Sequence, residues 1–156
     1  MSNTSEAAAL DLLARDGAAA RSDPEKTEAA LKRALEEAPW SEEVRLGAYR
    51  FYFYNHRYTE AIPHADALIS HAARQLNLPV DWRDVRPEDA RFTAHEFAPG
   101  LFLQCLIAWG YCHARLGNND QAREALGKAA ALDPSDRFGA AMVLHHLETR
   151  LAEDSE

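Results

Sequence analysis

The sequence predicts an all-α fold with an internal repeat, about seven helices in one domain. Three observations predict it. Alanine, leucine, glutamate and arginine dominate the 156 residues, and no segment alternates apolar and polar residues as a strand does. Proline, glycine and asparagine cut the chain into pieces of helix length. Two of those pieces end alike, RALEEAP at Pro39 and KAAALDP at Pro134, so the chain repeats itself.

A first helix is expected over about Thr4 to Ala20, with Leu10, Leu13 and Ala14 spaced for one face. Asp23-Pro24 reads as an N-cap followed by proline at the first helical position, opening a helix that Pro39 stops. Ser41 caps a third helix, which runs through the aromatic stretch YRFYFYNHRY (49–58) to about Tyr54. Asn55-His56-Arg57 turns the chain into a long helix from about Thr59 to Asn77, with Pro63 near enough to its start for the missing amide to cost little.

From Leu78 to Pro99 the polarity is mixed, and Pro79, Pro87 and Pro99 predict an irregular connector with one short helix at Pro87-Glu88-Asp89. Pro99-Gly100 opens a strongly apolar helix to Leu116. Gly117-Asn118-Asn119 turns it into a helix over 120–132, which Asp133-Pro134 ends. A last amphipathic helix is predicted over about Asp136 to Leu151, before an acidic tail.

The segment LIAWGYCHARLGNNDQAREALGKAAALDP resembles a tetratricopeptide repeat (TPR). Leu106, Trp109, Gly110, His113, Ala122, Leu126, Ala129 and Pro134 occupy its signature places, with Trp, His and Leu standing for the usual Leu, Tyr and Phe. The small residues matter because Gly110 and Ala122 lie where the two helices of a unit approach most closely. Pro39 and Pro134 are 95 residues apart, two 34-residue periods with 27 to spare. The resemblance thus implies three degenerate repeats, at about 8–41, 42–75 and 103–136, with residues 76–102 inserted between the second and third. In the first, Arg15 and Thr27 replace the small residues; in the second, Tyr52, Tyr58 and Ala61 are kept, and Tyr49 replaces glycine. It also implies a right-handed superhelix, with residues 136–151 as a C-terminal capping helix in a single domain over 1–156.

Composition narrows the function classes. A net charge of −8 with no basic cluster lacks the attraction that dominates nucleic-acid affinity, and an anionic membrane surface repels it. No run approaches the roughly 20 apolar residues of a membrane span, and MSNTSEAAAL lacks the pattern of a secretory signal, so a cytoplasmic protein is expected. Cys105 and Cys112 lie seven apart on one helix, about 10 Å, beyond disulfide reach, and read as reduced thiols.

The spacing of candidate chemical groups argues against an enzyme, a metal or another cofactor. His64 and His71 are two helical turns apart, His145 and His146 point to different faces, and neighbours such as Cys112 and His113 diverge by about 100°. No glycine-rich phosphate loop exists. The polar cluster Asp81, Arg83, Arg86, Glu88, His95 and Glu96 in the insert reads as a solvated loop.

The resemblance places a peptide-binding groove on the first helix of each pair. It would present Leu12, Asp16 and Ala19 from the first repeat, Glu43, Leu46, Arg50, Phe53 and Tyr54 from the second, and Gln104, Ile107, Tyr111 and Arg115 from the third. The family's carboxylate-clamp places hold Leu12, Asp16, Gly47, Gln104 and Ala108 here, so capture of a chaperone's terminal carboxylates is not implied. The expected partner is an apolar or helical segment of a protein, bound by an adaptor or assembly chaperone. The other expectation is a structural subunit or homodimer that uses the same aromatic surface. Bacterial type III secretion chaperones resemble this chain in being small, acidic and built of three such repeats, which in them are contiguous. Phe53 and Tyr54 are the aromatic residues whose role depends on whether Trp82, Phe92 and Phe97 of the insert fold over them.

Overall fold

The computed structural model describes residues 23–155, and the predicted helix at Thr4–Ala20, with Leu12, Asp16 and Ala19, lies outside them. Among the described residues there is no strand. The helices are α1 (Pro24–Glu37), α2 (Glu42–Tyr54), α3 (Tyr58–Gln75), α4 (Phe97–Arg115), α5 (Asn119–Leu132) and α6 (Ala140–Asp154). Two single 3-10 turns, Trp82–Asp84 and Pro87–Asp89, lie between α3 and α4. Between His64 and Ala65, inside α3, the chain divides into two compact units.

In the first unit the caps follow from the sequence. The Asp23 carboxylate accepts the Lys26 N–H at 3.2 Å with Pro24 at the first helical position, and the buried Ser41 hydroxyl accepts the Val44 N–H at 3.2 Å. Helices α1 and α2 meet through Ala34, Ala38 and Val44, with Leu35 alongside. Tyr52 of α2 lies flat on His64 of α3, centroids 5.6 Å apart. Arg45 Nη1 stands 3.3 Å from His64 Nδ1; burial, then that guanidinium charge, lowers the imidazole pKa. Pro63 is the sixth residue of α3, so only the Thr59 carbonyl loses its helical donor, one bond beyond the first turn.

One ion pair ties the unit together. Arg57 grips Glu28 with two hydrogen bonds, 2.8 and 3.0 Å, while the Tyr52 hydroxyl donates to the same carboxylate at 2.8 Å. The Arg57 hydrogen bond holds the Glu28 pKa below the ordinary carboxylate range, and burial, aided by Glu28, pushes the Tyr52 phenol up to about 12. Glu28→Gln is expected to lower the unfolding free energy by about 1–2 kcal/mol at neutral pH, a charge-assisted pair discounted for its partial exposure. A depressed carboxyl stabilises above its unfolded pKa, about 4.3, and that stability disappears as pH falls through the folded value. A raised phenol works the other way: its contribution is complete below pH 10 and is lost as pH rises toward about 12. Urea denaturation across pH checks both limbs, Glu28→Gln flattening the acid one and Tyr52→Phe the alkaline one.

In the second unit α4 is the central helix: twelve of its nineteen residues are buried. Gly110 lets α5 come close, since a Cβ there would stand 3.0 Å from Leu126 Cγ and 3.3 Å from Ala125 Cβ. Ala114, Ala122, Leu126 and Leu147 then form a core shared with α6, joined by Ile107, Val143, Leu144 and Leu151. The stretch before α4 packs on it through Trp82 against Trp109 and Phe92 against Phe102, with centroids 5.5 and 5.8 Å apart. Long basic side chains reach its backbone: Lys128 Nζ donates to Val85 O at 2.7 Å, and Arg137 to Thr93 O and Ala94 O at 3.2 and 3.4 Å.

Several helix ends differ from expectation. Helix α3 starts one residue earlier and ends two residues sooner than the predicted 59–77. Helix α4 starts at Phe97, so Pro99 sits in the first turn, where its missing amide is harmless. The expected short helix at Pro87 is a single 3-10 turn whose Asp89 carboxylate accepts the Arg86 N–H at 2.8 Å. The last helix, predicted over 136–151, is α6, Ala140–Asp154. The chain makes two turns first, because Asp133 accepts the Phe138 N–H at 3.2 Å and Asp136 and Gly139 take left-handed backbone angles, φ 52° and 85°. The Asp136 carboxylate, read as a helix start, instead accepts the Ala141 N–H at 2.8 Å.

Candidate functional site

In the first unit α2 has an inward edge, Val44, Ala48 and Tyr52, at the four-residue spacing of one helix face. The expected partner-binding residues fall off that edge. Glu43 and Arg50 are exposed, Leu46 and Phe53 half-buried, and Tyr54 is 73% exposed. The six aromatic residues of 49–58 therefore separate by burial. Tyr52 and Tyr58 are core, whereas the Phe53 ring lies 5.3 Å from Tyr49 and meets Tyr54 and Tyr58 edge-on at 5.4 and 5.9 Å. Phe53 is thus held in place by its neighbours and holds Tyr54 outward. Gly47, one of the clamp places, is half-buried.

In the second unit Gln104, Ile107, Tyr111 and Arg115 follow one another along α4. Gln104 and Arg115 are exposed, and Ile107 packs into the α6 core. Tyr111 and Arg115 come together, lining a cavity of about 230 Å³ between α4 and α6. Its other wall is His146 and Arg150, and its floor is Ala114, Val143 and Leu147. Sequence reasoning did not assign the two α6 residues. The available signal was their place beside the apolar stripe Val143-Leu147-Leu151, but spacing alone does not say which helix that stripe meets.

Of the insert's three aromatic side chains, Trp82 and Phe92 are buried within their own unit and Phe97 is 65% exposed. Its charged residues make surface pairs: Arg83 with Asp81 and Glu124, at 3.3 and 2.9 Å, and Arg86 with Glu88 at 3.6 Å. They do not converge on a shared site.

Both cysteines are buried and neither is in a disulfide, and burial pushes the Cys112 thiol up to about 12, so it is inert at neutral pH. His113 packs its ring on Trp109, centroids 4.1 Å apart, and burial lowers its pKa. Its Nδ1 meets the Asn118 amide at 3.0 Å, closing the turn to α5. Among the described residues no three His, Cys, Asp or Glu side chains gather to hold a metal ion.

The close helix approach at Gly110, with Ala122 and Ala129 fully buried on α5, is the packing the repeat signature requires. The tetratricopeptide repeat family matches residues 104–136. Those residues are a tetratricopeptide repeat. In this TPR the helix pair is α4 and α5, His113 takes the usual tyrosine place by packing against Trp109, and α6 follows on its open side. Such repeats serve as an interaction fold.

The chain is 35% identical over 118 residues to a protein of Azotobacter chroococcum mcd 1 described as an uncharacterized 19.8 kDa protein in the nifW 5′ region. That match covers 74% of this chain and 66% of the relative, just under two-thirds of its length. No solved structure matches. Among the described residues no helix is long and apolar enough to cross a membrane.

Proposed function

We propose that this chain is a non-enzymatic protein-interaction module of the cytoplasm, an adaptor or assembly chaperone that holds an apolar or helical segment of a partner protein. Glu43, Leu46, Arg50, Phe53 and Tyr54 supply one binding face, and Gln104, Ile107, Tyr111 and Arg115 another. The observation that carries this reading is Tyr54: a large aromatic residue, 73% exposed, braced from behind by the Phe53 ring. Exposed aromatic anchors on rigid elements supply most of the energy of protein recognition. The tetratricopeptide repeat at 104–136 supports a protein partner, and two buried cysteines that form no disulfide fit a reducing compartment.

The test is affinity capture from a lysate of the native host with the wild type and Tyr54→Ala side by side. Tyr54→Ala is expected to leave stability within about 0.5 kcal/mol, as exposed substitutions do, and to lose the captured partner. Phe53→Ala, which removes a half-buried ring, adds about 1–2 kcal/mol of destabilisation. A Tyr54→Ala protein that retains every captured protein would sink this reading of α2.

A homodimer or structural subunit is the second reading, favoured by Phe97 and Met142, 65% and 63% exposed. It requires the purified chain to sediment as a dimer, and Phe97→Glu to return it to monomer.

A further inference from the structure

Arg57 and Arg83 meet carboxylates, whereas Arg45 meets a histidine. Its Nη1 stands 3.3 Å from His64 Nδ1, and its Nε donates to Pro39 O at 3.2 Å. One side chain of α2 thus fastens both the α1–α2 turn and α3. A guanidinium can only donate, so Nδ1 has to accept, which fixes the ring as the neutral tautomer with its proton on Nε2. The Tyr52 ring covers one face of that imidazole, 4° from parallel with centroids 5.6 Å apart.

Protonation turns the acceptor into a donor. An Nδ1–H would then point at an Nη1–H, two cations head to head where burial already disfavours charge. Neighbouring acids are committed elsewhere. Glu28 of α1 meets the far end of Tyr52 through the phenol hydroxyl, and Arg57 holds the same carboxylate with bonds of 2.8 and 3.0 Å. On α3 itself Glu60, one turn before His64, pairs with Arg57 at 3.5 Å, and Asp66, two residues on, projects to another side of the helix. The imidazole pKa is accordingly lowered, by burial first and by Arg45 second.

We propose that His64 and Arg45 form an acid-sensitive joint in the first unit: protonation of His64 expels the Arg45 guanidinium, which lets go of α3 and of the α1–α2 turn together. The proposal goes beyond the reading of the chain as an interaction module and stands whether or not α2 binds a partner. The unfolded chain takes up this proton near pH 6.5 and the folded chain only at lower pH. The joint's contribution to stability is therefore complete above about pH 6.5 and is lost as pH falls from there through the folded value. That window opens above the one for Glu28, which begins near pH 4.3.

The test is an NMR titration of the full chain, labelled with ¹³C and ¹⁵N, from about pH 8 to about pH 5. The His64 ring is expected to show the Nε2–H tautomer at high pH and a midpoint below about 6.5, with the Arg45 Nε and Tyr52 ring signals shifting at that same midpoint. Arg45→Gln removes the charge and keeps the burial, so it should move the His64 midpoint up. His64→Asn leaves an acceptor near the place of Nδ1 and takes away the titrating group, so Arg45 Nε should hold its position across the same range. Thermal unfolding checks that both variants fold, and the wild-type titration stands without them. A His64 midpoint at or above about 6.5, or a ring protonated on Nδ1 at high pH, overturns the proposal. So do Arg45 and Tyr52 signals that stay fixed while His64 titrates, and an unchanged midpoint in Arg45→Gln. Movement of Arg45 that persists in His64→Asn overturns it too, because another group is then the trigger.

Discussion

Trp109→Ala is expected to lower the unfolding free energy of the second unit by about 3–5 kcal/mol, the range for deleting a buried aromatic ring. The indole is 8% exposed and lies between Trp82, at 5.5 Å, and the His113 ring, at 4.1 Å, so its loss leaves a cavity that two rigid rings do not fill. Its Nε1–H makes no hydrogen bond of good geometry among the described residues, and its nearest acceptor in electrostatic terms is a carboxylate. The Asp66 carboxylate is within electrostatic reach of that N–H; desolvation raises its pKa, and the N–H and Arg83 pull it back. Trp109→Phe keeps most of the ring and removes a poorly bonded N–H, so it should cost no more than about 1.5 kcal/mol. Chemical denaturation of both variants checks this, and equal losses would show that the polar edge of the indole matters more than its volume.

Gly110→Leu is expected to cost about 3 kcal/mol, the upper range for overpacking a filled core. The Cβ alone would stand 3.0 Å from Leu126 Cγ and 3.3 Å from Ala125 Cβ, the latter fixed to the α5 backbone. Gly110→Ala sets that clash against the roughly 1 kcal/mol by which alanine favours a helix, so its net cost is about 0–2 kcal/mol. Gly127 on α5 is the control: a Cβ there meets nothing within 4 Å, so Gly127→Ala should gain about 0.5–1 kcal/mol. Denaturation midpoints for the three variants should therefore fall in the order Gly127→Ala, Gly110→Ala, Gly110→Leu, from highest to lowest.

The sequence carried the parts of the fold that depend on local chemistry. Asp23 and Ser41 cap where they were read, because an N-cap needs only its own side chain and the next turn. The glycine at 110 and alanine at 122 revealed the α4–α5 pair, because close approach admits few residue types. Other features were illegible for a shared reason: they depend on partners far along the chain. Arg57 and Glu28 are 29 residues apart, and nothing in either neighbourhood announces the pair. Asp136 looked like a helix start because aspartate serves that role, yet the Asp133 carboxylate claims the Phe138 N–H and delays the helix to Ala140.

Of the expected groove residues, Tyr111 and Arg115 were named through the resemblance, and the structure brings them together in one cavity. His146 and Arg150 were missed because the wall they form exists only once α6 has settled on α4. On α2 Tyr52 is buried and Tyr54 exposed, while Tyr49, which replaces the repeat's glycine, puts its ring on Phe53. Ring-to-ring contacts of that kind depend on rotamers, which periodicity does not encode.

The segment before α4 is fastened in part through its carbonyl oxygens, which Lys128 and Arg137 reach from α5 and the turn after it. A carbonyl oxygen is the same whatever side chain its residue bears. Mutation can therefore rewrite the exposed positions of this segment, Arg86, Glu88, Arg91 and His95 among them, without loosening these fastenings, provided Lys128, Arg137, Trp82, Val85 and Phe92 stay. The molecule thus has a stretch of surface whose lettering is free to drift while its course is fixed, raw material for acquiring new contacts at little risk to the fold.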